Sequence, residues 1–126
     1  MNQNPITYPA IPNLVFTLPR IAQVGITVDE AEAHPELYRV ERIPFGVSNE
    51  WVNNREKEAH YTFIFDKEGY LVGAAIYSSE AATILDFITL IINKKMTAQD
   101  LSSMIFAFPT QTYQVVFALK PLLKRA

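Results

Sequence analysis

Two hydrophobic rhythms divide the chain. The first has the period of strands. In HYTFIF, Tyr61, Phe63 and Phe65 alternate with Thr62 and Ile64, and YLVGAAIY, Tyr70 to Tyr77, returns after the turn Asp66-Lys-Glu-Gly69. A loop that short joins antiparallel neighbours, so this is the clearest predicted hairpin. Leu14–Thr17 and Ile21–Gly25, on either side of Pro19, read as shorter extended pieces, and Leu37–Phe45 as another strand. Between them, Thr27-Val-Asp-Glu30 has the form of a capping box, in which the threonine oxygen caps a helix and the glutamate reaches back. Pro35 stops that helix by about His34.

From Ser79 the period becomes helical. Ser79 is a cap for a helix reaching about Lys94, where Lys94 and Lys95 suit the negative end. Ala81, Ile84, Leu85, Ile88, Ile91 and Ile92 form its stripe, which Phe87 and Leu90 widen beyond that of an ordinary surface helix. Thr97-Ala-Gln-Asp100 opens a second helix. A third begins at Thr110, carries Tyr113, Val115, Val116, Phe117, Ala118 and Leu119, and ends near Pro121. Strands followed by helices predict an α+β fold: an antiparallel sheet with helices layered on one face. The breadth of the apolar helix faces predicts that another chain or domain covers them, the alternative being helices stacked within one core.

Composition narrows the function. With 126 residues, 49% hydrophobic and 19% charged, the chain is one globular domain's worth,. A net charge of −2 gives no footprint for nucleic acid,. The absence of cysteine excludes disulfides, a thiolate nucleophile and a cysteine-ligated metal,. The start, with Pro5, Pro9 and Pro12, lacks the pattern of a signal peptide and reads as a lead-in. Ala81–Asn93 is too short to span a membrane and contains Asp86. A cytoplasmic, soluble protein with no membrane and no nucleic-acid partner is expected.

Candidate chemistry is sparse. His34 precedes Pro35 at a helix end, where histidine suits the terminal carbonyls. His60 opens a strand. Neither has a nucleophile or an orienting group in its sequence neighbourhood. Gly25, Gly46, Gly69 and Gly73 nowhere show the G-x-G spacing of a dinucleotide fingerprint,. The corner MIFAFPTQTYQ, Met104 to Gln114, is apolar and holds no group that exchanges a proton near neutral pH. These features point to an interaction module. A small enzyme built on His34 or His60 would need them near each other or a carboxylate, and a free-standing ligand-binding or regulatory module would need an apolar pocket between sheet and helices.

A set of motifs then carries a resemblance. Phe16-Thr-Leu-Pro19-Arg-Ile-Ala22-Gln-Val-Gly25, Leu71-Val-Gly73-Ala74, Ser79-Glu80-Ala81, Thr97-Ala-Gln-Asp100-Leu101 and Phe108-Pro109-Thr110 occur in that order. The chain resembles, over about residues 12–125, the C-terminal dimerisation domain of pyridine nucleotide-disulfide oxidoreductases, flavoenzymes such as glutathione reductase, dihydrolipoamide dehydrogenase and mercuric reductase.

The resemblance implies a non-catalytic homodimerisation domain, residues 13–126, with 1–12 leading in from a missing FAD domain of a longer parent. The fragment itself would bind no cofactor and no metal. FAD and NAD(P)H would belong to the parent, an oxidoreductase of redox homeostasis whose FAD and NAD(P) domains would be partners beside a second copy of the chain. In the family, a His-Pro-Thr motif and a following glutamate face the partner's flavin and serve as an acid/base pair. Here Phe108 and Tyr113 hold the histidine and glutamate positions, so no catalytic residue is expected. Phe106, Phe108, Pro109, Thr110, Tyr113 and Phe117 would line the dimer interface facing the partner flavin.

Overall fold

The computed structural model describes residues 9–15, 20–43, 60–78, 81–104 and 111–126. These residues include five strands: β1 (Pro12–Val15), β2 (Arg20–Gly25), β3 (Arg39–Ile43), β4 (His60–Phe65) and β5 (Leu71–Ser78). They form one antiparallel sheet in the order β1-β2-β5-β4-β3. Among the described residues four helices accompany it: α1 (Val28–Ala33), α2 (Ala81–Asn93), α3 (Ala98–Ser102) and α4 (Gln111–Leu119). The predicted α+β class, its hairpin and its helical layer are all found.

The β4–β5 hairpin closes as its sequence dictates. Asp66 Oδ1 accepts from the N–H groups of Glu68 and Tyr70, both at 3.0 Å. Gly69 takes φ +94°, a left-handed value that glycine adopts without a side-chain clash,. Strand β3 starts at Arg39, later than the expected Leu37. The N–H groups of Leu37 and Tyr38 bond instead to His34 O, at 2.9 and 3.1 Å, completing a turn after α1.

Register sorts the side chains by face, since neighbours along a strand point oppositely. Ala22, Val24, Tyr61, Phe63, Phe65, Leu71, Ala74 and Ile76 are buried in one core with Ile84, Leu85, Ile88 and Ile91 of α2, and with Leu101, Val115, Val116 and Leu119. Ile64 and Thr62 occupy the opposite face of β4, beside Val40 and Arg42 of β3, and both are buried. Helix α1 covers that side: Ala31 is buried and Glu32 bonds Arg42. Thus the three carboxy-terminal helices form the main layer, and α1 shields part of the second face.

Two helix starts follow their capping sequences. Thr27 Oγ1 accepts from Glu30 N–H at 3.1 Å. At α3 the reciprocal box forms, with Thr97 Oγ1 accepting from Asp100 N–H at 3.2 Å and Asp100 Oδ2 accepting from Thr97 N–H at 2.8 Å,. Beyond Pro121 the tail straps across the domain. Lys124 N–H donates to Gly69 O at 2.9 Å, and Lys124 O and Arg125 O accept from Ala98 and Gln99. These carbonyls satisfy donors at the start of α3 that the helix cannot pair internally. The Ser79 cap lies outside the described residues.

Candidate functional site

The helical layer buries one face and leaves another open. Ala81, Ile84, Leu85, Ile88 and Ile91 of α2 are spaced at three and four residues and are buried against the sheet. Phe87 and Ile92 flank that stripe half-buried, so most of its unusual breadth serves the domain's own core. Helix α4 buries Val115, Val116 and Leu119. What remains outside is specific: Phe117 is 67% exposed, Leu90 of α2 48%, and Met104, just after α3, 38%. A phenylalanine that open on a structured helix leaves apolar surface for a partner to cover.

Of the interface residues expected from sequence, Phe117 is therefore placed on an open surface. Phe106, Phe108, Pro109 and Thr110 lie outside the described residues. The backbone of Tyr113 is in α4, one turn ahead of Phe117, and its side chain is outside the described set.

Among the described residues the two histidines are not brought together, though His34 meets a carboxylate on the exposed surface. His34 caps α1 through its backbone N–H, which donates to Ala31 O at 3.2 Å. Its exposed ring has Nδ1 3.2 Å from Glu36 Oε1, and the Glu36 carboxyl is held below its ordinary range, first by a backbone hydrogen bond and then by His34. His60 is exposed on the sheet's second face and stacks on its cross-strand neighbour Tyr77, with ring centroids 5.2 Å apart. No group of three or more potential metal ligands occurs among the described residues.

Two glycines quoted in the sequence motifs have a shared task. Gly25 and Gly73 are partners in the β2–β5 register. A Cβ on Gly73 would lie 2.2 Å from Ile26 O, and one on Gly25 would lie 2.1 Å from Val72 O. Their bareness lets two backbones approach closely. Gly69, in turn, lies against Lys124 of the tail. None of these three opens a helix, so the described glycines do not form a phosphate cradle,.

A model of the pyridine nucleotide-disulphide oxidoreductase dimerisation domain matches residues 11–118. The chain belongs to this family. Among curated relatives, it is 33% identical over 106 residues to a dihydrolipoyl dehydrogenase of Halobacterium salinarum, a match spanning 83% of this chain and 22% of that enzyme. It is 29% identical over 119 residues to an uncharacterized 19.7 kDa protein in the mercuric resistance operon of Staphylococcus aureus, spanning 94% of this chain and 66% of that protein. The chain thus corresponds to less than two thirds of these relatives, and to about a fifth of the dehydrogenase.

Solved structures carry the same fold. LpdA from Mycobacterium tuberculosis superposes with a TM-score of 0.82 at 18% identity, over 95% of this chain and 26% of that one. The HOCl-induced flavoprotein disulfide reductase RclA from Escherichia coli gives 0.75 at 18%, over 91% and 26%. Among the described residues, no helix of this dimerisation domain is long and apolar enough to cross a membrane.

The sequence missed how the motif glycines meet. It also missed the strap from Lys124 to Gly69, because contacts so far apart along the chain leave no local signal.

Proposed function

We propose that the chain is the homodimerisation domain of an FAD- and NAD(P)H-dependent oxidoreductase and that it is not catalytic by itself. The family match over residues 11–118 carries this reading. Phe117, open on α4, supports it by supplying an apolar anchor of the kind that dominates protein interfaces,. Its action is burial around a two-fold axis, where Phe106, Phe108, Pro109, Thr110, Tyr113 and Phe117 meet the second copy and face its flavin domain. Residues 1–12 lead in from that parent's FAD domain. An obligate contact of this kind buries on the order of 2,000 Å² or more.

In this reading the family's acid/base pair is gone. A phenyl ring at Phe108 neither donates nor accepts a proton, so the parent either obtains its proton elsewhere or acts on something other than a simple disulfide. The domain's role at that corner is then to shape and dry the partner's site. Sedimentation of the full chain at micromolar concentration tests the pairing: a dimer is expected, and a stable monomer with no self-association overturns it.

A second reading rests on the Staphylococcus aureus relative. At 19.7 kDa, with 66% of its length matched, that protein has no room for two nucleotide-binding domains of ordinary size,. A family domain of this type therefore occurs in a short chain, which favours a free-standing ligand-binding or regulatory module. The coding sequence upstream of residue 1 separates the two. Two G-x-G-x-x-G units and a C-x4-C pair support the parent enzyme, whereas an open reading frame beginning at Met1 supports the module.

A further inference from the structure

Past α4 the chain buries little of itself. Leu123 is the one buried residue of the strap Leu122–Arg125, and Leu101 is the one buried residue of α3. Ala98 and Leu122 are half-buried beside them. The two segments are joined by backbone: Ala98 N–H donates to Lys124 O at 2.8 Å, and Gln99 N–H to Arg125 O at 3.0 Å. Segments with few buried side chains and exposed backbone hydrogen bonds lie at the low-stability end of a fold and open as small cooperative units. Strand β4, buried from Tyr61 to Phe65, lies at the other end.

Two ties hold this unit to the sheet. Lys124 N–H donates to Gly69 O at 2.9 Å, and a Cβ on Gly69 would crowd the Lys124 backbone nitrogen at 3.2 Å. Arg39, on the edge strand β3, supplies the second tie. Its Nη2 donates to Leu122 O, and its guanidinium carbon lies 4.6 Å from the ring centroid of the buried Phe65. A hydrogen bond from a charged donor is stronger than one between amides, so Arg39 carries much of the tie.

The strap also finishes α4. Leu119 O accepts from the N–H groups of Leu122 and Leu123, at 3.0 and 3.2 Å. The last carbonyl of α4 thus takes its donors from the strap, in the turn that follows the open Phe117,.

We propose that α3 and the strap form a latch. They open as one unit, Arg39 is the positioning residue that clasps it shut, and only the closed latch holds the end of α4, with Phe117, in the form that pairs. The first two statements concern a single chain. The third rests on the pairing proposed above.

Native-state hydrogen exchange of the full chain, at a concentration below pairing, tests the latch. The amides of Ala98, Gln99 and Lys124 are expected to share one protection factor, well below that of the β4 amides. Arg39→Gln is expected to lower all three about tenfold, as loss of a hydrogen bond from a charged donor does, and to leave β4 unchanged. Arg39 Nε is also 3.6 Å from Glu41 Oε1, so Glu41→Gln is the control and should leave all three as they are. Three unrelated protection factors overturn the latch. So does a loss in Arg39→Gln that extends equally to β4, no loss at all, or a matching loss in Glu41→Gln.

Concentration tests the link to pairing. Because only the closed form pairs, the three protection factors should rise about tenfold where free chain stands near ten times the dissociation constant. Unchanged protection in a chain that sedimentation shows to pair overturns the link. A chain that never pairs overturns the pairing reading and the link with it, and exchange at low concentration still decides the latch.

Discussion

Strand β4 and helix α4 are about equally apolar, yet their environments differ. From Tyr61 to Phe65 every residue of β4 is buried, because α1 lies over one face and the carboxy-terminal helices over the other. Helix α4 buries Val115, Val116 and Leu119 inward and leaves Phe117 open. The sheet is the middle layer of the domain, and α4 is an outer one. Apolar content alone does not separate a core from an interface; the number of layers packed on a segment does.

Three substitutions probe that contrast. Phe63→Ala removes a ring enclosed on all sides and is expected to cost about 4 kcal/mol of unfolding free energy, read by urea denaturation at fixed protein concentration,. A loss under about 1 kcal/mol would mean the middle layer is loosely packed. Gly73→Ala forces a methyl group toward Ile26 O and is expected to cost about 2 kcal/mol or more by the same measurement, since backbone must yield,.

Phe117→Glu sharpens the other side of the comparison. On an outer surface it should change the unfolding free energy of the isolated domain by no more than about 0.5 kcal/mol. It should weaken self-association about tenfold or more, in sedimentation over a concentration series, because a charge replaces an interface anchor. Destabilisation with unchanged association would place Phe117 in the domain's own packing and break the contrast.

Much of the fold was legible in the chain. The alternation in HYTFIF, the turn at Asp66–Gly69, the caps at Thr27 and Thr97 and the stop at Pro35 each act over a few residues, so their signals are local. The candidate interface was less legible. The breadth of the α2 stripe suggested a second buried face, but Phe87 and Ile92 turned out to flank the domain's own core, and Leu90 alone among the large apolar residues of α2 is left open. Helical periodicity gives a direction around an axis; it does not say what stands in that direction.

The sequence by itself determined most of the described strands and helices, and the family. Those follow from residue spacing, capping and an ordered series of motifs. Only the tertiary structure decided that Gly25 meets Gly73, that the tail closes on Gly69 and α3, and that Lys95 and Lys124 gather on Tyr70. These contacts join segments tens of residues apart. They arise once the sheet order β1-β2-β5-β4-β3 fixes which ends lie side by side, and that order is a property of the packed whole.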